Sequence, residues 1–272
     1  MDRGDIGRAL GAVALTALAA GCARPANTAS SAPAGPPEAA AAMSIPFVGC
    51  ASDGQVGPQD PPKGAPITLQ IAPSLGKKLA YYVMQNGPGV LAPSGWSCAG
   101  IYGSDGATLI VAPQALTPAE LMNGNWAGAN GDAVSARVAT GDTSGRYQVA
   151  EVIARVFPAN QAFVKGVVAN DPSSQANDFP TGAYPTDKLV NKDARTVEFQ
   201  SPANAVGLGT DPNDNNRLKP GADPVSGVAI LTGPTPDLAL AAARLPPDLA
   251  ALAPAIVQRF EADMTAPASA SP

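Results

Sequence analysis

Apolar and polar residues alternate, or recur at helical spacing, in several short windows of the chain, and these windows predict its elements. Ile67, Leu69 and Ile71 alternate with Thr68 and Gln70, the pattern of a half-buried strand. Ser74 is suited to cap a helix, with Leu79, Tyr82 and Val83 on one side of the turns that follow. Two β-prone runs, Trp96 to Tyr102 and Ala107 to Val111, flank Gly103-Ser104-Asp105-Gly106 and predict a hairpin. Thr117 as cap and Pro118 at the first position mark a short helix ending near Met122. Val134, Ala136 and Val138 alternate with Ser135 and Arg137, giving another strand. Val149, Val152, Ile153, Val156 and Phe157 share one face of a helix from Arg146 that Pro158 limits. A second helix is expected over Gln161 to Ala169. Thr196 to Gln200 reads as a strand, and Val228 to Thr232 with Leu238 to Leu245 as paired strands. Leu249, Leu252, Ile256, Val257 and Phe260 fall at helical spacing. Pro254 interrupts them, so a short turn and then a helix starting near Pro254 are expected.

The remaining stretches read as loops: Pro46 to Pro66, Asn86 to Gly95, Asp171 to Asp193 and Asn204 to Asp223. Strands and helices come mixed, without a regular βαβ rhythm. The expected fold is therefore α+β, with a mainly antiparallel sheet, a few short helices, long Pro/Gly-rich loops and one disulfide.

The N-terminus follows a different logic. Arg3 and Arg8 precede an uncharged, largely apolar run from Ala9 to Ala20, which suits an export signal and is too short to span a bilayer. The run ends Leu18-Ala19-Ala20-Gly21-Cys22 and resembles the lipobox of bacterial lipoproteins, which is cut just before a cysteine that then carries lipid. It departs from that pattern at Ala19, where a larger aliphatic residue is usual. An ordinary Ala-x-Ala cut after Ala19 is the competing reading. The lipoprotein resemblance implies a signal over residues 1–21 and a lipid attachment at Cys22. Ala23, in place of Asp after the cysteine, implies an outer-membrane address facing the periplasm. Residues 22–44, rich in Ala, Pro, Ser and Gly, read as a disordered tether. Residues 45–264 read as a single globular domain, and 265–272 as a disordered tail.

Composition narrows the chemistry. The chain of 272 residues has no histidine, which excludes Ser-His-Asp and Cys-His hydrolases and weighs against a typical zinc site. A net charge of −5 with no run of Lys or Arg argues against nucleic acid as a partner. If Cys22 is lipidated, Cys50 and Cys98 remain, and in an oxidising envelope they are expected to form a structural disulfide. Much of the 45% apolar content is alanine, and only thirteen residues are aromatic, so the core is leaner than the percentage suggests.

Several constellations carry candidate chemistry. Ser74-Leu75-Gly76-Lys77 matches the Ser-x-x-Lys of penicillin-binding enzymes, yet no Lys-Thr-Gly occurs, and a helix start followed by solvated lysines is the plainer reading. Asp211, Asn213 and Asn215 resemble the first ligands of an EF-hand loop and make a weak metal candidate. Ala222 stands where the bidentate Glu is required, which favours an Asx-rich loop. Gly207-Leu208-Gly209-Thr210 lacks the context of a nucleotide loop. Asp53, Asp105, Glu120, Glu151 and Glu198 supply carboxylates for glycoside chemistry, though no spacing pairs any two. Trp96, Tyr102, Asp53 and Asp105 are the candidate ligand-binding residues; core packing around the disulfide is the alternative for the aromatics. No cofactor is called for.

The motifs Cys-Ala-Ser-Asp-Gly-Gln from Cys50, Gly-Val-Leu-Ala-Pro-x-Gly-Trp-x-Cys from Gly89 and Tyr-Gly-Ser-x-Gly from Tyr102 resemble segments of exported bacterial proteins to which no activity is attached. That resemblance implies no catalytic residue. The expected role is a non-enzymatic binding or assembly module of the cell envelope, held to the membrane by lipid and contacting an envelope protein or peptidoglycan. A periplasmic hydrolase acting on cell-wall or glycan material is the alternative, and a small-molecule carrier the third reading.

Overall fold

The computed structural model describes residues 38–266 apart from 127, 172, 174, 215 and 216. In chain order the elements are β1 (Ala41–Ile45), β2 (Phe47–Gly54), β3 (Ile67–Ile71), α1 (Pro73–Gly76), β4 (Leu79–Met84), β5 (Gly89–Pro93), β6 (Ser97–Gly103) and β7 (Gly106–Ala112). They continue with α2 (Pro118–Met122), β8 (Ala133–Ala139), α3 (Arg146–Val156), α4 (Gln161–Asn170), β9 (Lys188–Asn191), β10 (Thr196–Ser201), β11 (Val225–Thr232), β12 (Asp237–Arg244) and α5 (Ala253–Thr265).

Ten strands form one sheet in the order β5-β4-β2-β6-β7-β8-β12-β11-β10-β9, and β1 pairs with β3 in a separate ribbon. The large sheet is mostly antiparallel but mixed, because β2 runs parallel to both of its neighbours, β4 and β6.

Burial on both faces of the central strands explains their composition. Along β12, Leu238, Leu240 and Ala242 face a core under α3 and α4, while Ala239, Ala241 and Ala243 face a second core under α5. Small side chains let helices approach the sheet closely on either side. The alanine content therefore lies largely inside, where it lowers the apolar area per residue but not the packing. Val149, Val152 and Ile153 seal the first core; Ile256, Val257 and Phe260 seal the second. Helix α5 lies against β11, β12 and also β5 at the far edge, so the twisted sheet curls around it.

Several readings of the pattern need correction. The segment from Leu79 to Met84 is a strand, not the continuation of a helix begun near Ser74. Helix α1 stops after one turn, its N-cap is Ala72, and Ser74 makes no side-chain cap. Tyr81, Tyr82 and Val83 are β-prone, and β4 gains ladders to β2 and β5 that a surface helix would forgo. Strands β2 and β5 fall inside Pro46 to Pro66 and Asn86 to Gly95, both read as loops. Their glycines and prolines serve close strand approach and a sheet edge rather than turns. Strand β9 likewise falls inside the Asp171 to Asp193 loop. Finally, the segment read as tether includes β1: Ala41–Ile45 pairs with β3, and the Glu38 carboxylate accepts from the Ser74 amide at 3.0 Å. Ile45 is fully buried, which offsets the ordering of an otherwise small-residue segment. Cys22, the export signal and the remaining tether lie outside the described residues. Helix α5 includes Thr265, where the tail was expected to begin.

Candidate functional site

The site begins with the disulfide. Cys50 of β2 and Cys98 of β6 are bonded, with Cα atoms 5.4 Å apart. Beyond them the two strands pair in parallel, Ala51 with Ala99 through Gly54 with Tyr102. The bond lies at the amino end of this register, and the carboxyl ends of both strands emerge side by side. Gly54 is needed there: a Cβ at this position would stand 1.9 Å from the Tyr102 carbonyl oxygen. Strand β6 then turns into β7 through Ser104 and Asp105, and Gly106, at φ +134, lies against the Val138 carbonyl.

The hairpin tip is fastened to the start of α3. The Thr140 amide donates to the Asp105 carbonyl at 3.2 Å, the Ser104 and Ser144 hydroxyls are 3.0 Å apart, and Gln148 Nε2 donates to Asp105 Oδ2 at 3.0 Å. Helix α2 closes another side. Thr117 and Glu120 form a reciprocal capping box at its start, and Met122 at its end is 53% exposed.

Between these parts lies an open cleft of about 510 Å³. It gathers Asp53, Tyr102 and Asp105, three of the four residues chosen from the sequence, together with Arg137, Gln148 and Asp214. Three carboxylates against one guanidinium leave the lining formally negative. Trp96 is not among them. It precedes the opposite end of β6, half-buried against the α5-side core, where its carbonyl accepts from the Tyr82 hydroxyl at 3.2 Å. The core-packing alternative describes its position.

Arg137 is the residue the sequence reading passed over as a candidate. It sits mid-strand on β8, only 9% exposed, and its one side-chain hydrogen bond among the described residues runs from NH1 to Asp214 Oδ2 at 3.3 Å. Burial lowers its pKa, and the neighbouring charge of Arg217 lowers it further, opposed by Asp214, Glu151 and Asp105. Arg217, 7% exposed, is held more completely. It donates to Glu151 at 3.1 Å, to Asp211 at 3.3 Å and to the Leu208 carbonyl at 3.0 Å. Burial acts to lower its pKa, but Glu151 and Asp211 outweigh that and the net shift is upward. An arginine in the middle of a largely apolar strand is the available signal. Periodicity alone assigned Arg137 to a polar face.

Asp211 thus serves an ion pair. Its other oxygen accepts from the Asn213 amide at 2.8 Å, an Asx turn rather than a ligand arc. Asn215 lies outside the described residues. Ser74 and Lys77 are both exposed on the single turn of α1, with no enclosed floor around them. A second groove, of about 350 Å³, runs between β10 and α5 and is mainly apolar, with Val190, Phe199 and Val257 in its walls. Lys188, Glu198 and Gln258 are among its polar lining residues, but it has no buried guanidinium facing carboxylates of the kind the cleft beside β6 and β7 holds. No described helix is long and apolar enough to cross a membrane. Comparison of the chain with protein-family models, with curated proteins and with solved structures finds no match.

Proposed function

We propose that this chain is a lipid-anchored module of the bacterial cell envelope that binds an envelope component in the cleft at the carboxyl ends of β2 and β6, without catalysing a reaction. The observation that carries the reading is the convergence of Asp53, Tyr102 and Asp105 with the buried Arg137 in one open, polar cleft. A ligand there meets acceptors at the rim, a guanidinium at the floor and an aromatic flank, an inventory suited to hydroxyl- and amide-rich material such as peptidoglycan. The anchor at Cys22 rests on the lipobox resemblance.

The test is in-cell photocrosslinking from position 122, whose exposed side chain overlooks the cleft. An adduct with peptidoglycan or one envelope protein, lost when Cys22→Ala moves the chain off the membrane, supports the reading. Absence of that adduct, while a probe at exposed Val190 on the distant sheet edge crosslinks freely, rejects it. Hydrolysis through paired carboxylates is the second reading, favoured by Asp53, Asp105 and Asp214 sharing the cleft. Release of soluble fragments from purified cell walls, abolished by Asp105→Asn, would move the assignment to that class.

A further inference from the structure

The two arginines near the cleft differ in how well they are satisfied. Arg217 is closed off by two carboxylates and a carbonyl, whereas Arg137 meets one carboxylate oxygen through one nitrogen while lining open space. Asp105 presents a matching vacancy of opposite sign. Gln148 donates to its Oδ2, and Oδ1 accepts no hydrogen bond among the described residues. The Asp105 carboxylate is close enough to Arg137 to act on it electrostatically, yet no ion pair joins them. The cleft therefore holds a carboxylate and a guanidinium that face the same space without closing on each other.

That arrangement discriminates among ligands. A simple anion reaching Arg137 must pass Asp53, Asp105 and Asp214, which repel it. A simple cation satisfies Asp105 but leaves the remaining guanidinium donors with no acceptor. A group carrying both charges meets both ends. We propose that Asp105 and Arg137 form a seat for a zwitterionic α-amino acid group, the ligand ammonium donating to Asp105 and its carboxylate accepting from the guanidinium of Arg137. This rests on the binding reading above and specifies the chemistry of its ligand. The cleft volume of about 510 Å³ exceeds such a head group, so the body of the ligand runs past Tyr102 and Met122.

The experiment uses the full chain with Cys22→Ala and follows the backbone amides of Gly54, Gly103 and Gly106 by NMR during titration with three probes. Alanine carries both charges, alanine methyl ester only the cation, and N-acetylalanine only the anion. Alanine is expected to shift these amides at concentrations about tenfold lower than either blocked form, the factor that one lost charge-assisted contact produces. Arg137→Gln is expected to erase the advantage of alanine over the ester while keeping its advantage over N-acetylalanine, and Asp105→Asn to do the reverse. Equal response of the unsubstituted cleft to alanine and to either blocked form overturns the assignment, whatever the variants do. Response to soluble peptidoglycan fragments but not to alanine overturns it while leaving the binding reading in place. Response to neither overturns it too and removes peptidoglycan as the ligand, so that the binding reading then stands or falls on a protein adduct in the crosslinking experiment.

Discussion

Three arginines, Arg137, Arg217 and Arg244, are buried, and the partners of each decide what its loss would do. Arg244 is wrapped by main chain: its guanidinium donates to the carbonyls of Ala129, Gly131 and Lys219, tying two loops to the end of β12. Arg217 instead ties α3 to the 208–217 loop through Glu151 and Asp211, whose side chains are partly open to solvent. Because screening moderates that pair, Arg217→Met is expected to lower stability by about 2 kcal/mol in urea denaturation, below the range for a fully buried pair. Asp132, near Arg244, gives a pH-dependent test. Burial raises its pKa above the ordinary Asp value, with Asp223 and Asp248 adding to the rise against Arg244. A raised carboxyl pKa means that the folded state binds the proton more tightly than the unfolded one. The protein therefore loses stability as pH rises from the ordinary Asp value through the raised one. Asp132→Asn is expected to melt higher than the parent at pH 7, and the difference should vanish below the ordinary Asp value. A constant offset across that window would mean that the charge is not the cause.

At the scale of elements, strong local patterns were readable and ladder-dependent ones were not. The capped start of α2, the apolar face of α3, the β6–β7 and β11–β12 hairpins and the proline-started α5 all appear where spacing and turn chemistry put them. Strands β2, β4 and β5 were missed or mistaken. Their identity depends on one another: β4 pairs with both of the other two, and a short apolar run with glycine or proline nearby fits loop, helix or strand until a partner is present. The disulfide joins two parallel neighbours, β2 and β6, across a sequence separation of 48 residues. Replacing both cysteines by alanine is expected to cost about 4 kcal/mol by the chain-entropy relation, measured as a lower urea midpoint with a steeper slope, because the unlinked denatured chain exposes more surface. Loss of the cleft-dependent amide shifts before global unfolding would show that the bond also holds the cleft in register. A midpoint equal to that of the parent would show that the sheet alone sets it.

For the molecule as a whole, residues from Glu38 onward cluster as one unit, and its first strand lies within the stretch whose composition reads as tether. A chain starting at Glu38 retains the β1–β3 ribbon, and one starting at Pro46 loses it along with the fully buried Ile45. The shorter chain is expected to melt several degrees lower, as the loss of roughly 2 kcal/mol of apolar burial implies. Equal melting temperatures would show that β1 is dispensable. Local chemistry written in the sequence determined the capped start of α2, the proline that limits α3, the proline-led start of α5, the tight β6–β7 turn and the pairing of the two cysteines beyond Cys22, because each depends on neighbours along the chain or on a small set of residues. It also marked Asp53, Tyr102 and Asp105 as candidates by residue type. Only the tertiary structure decided that these three share a cleft, that Trp96 does not, and that Arg137 lies at its floor. A strand's period says which side chains share a face, but not whether that face meets water, a helix or a charged neighbour from far along the chain.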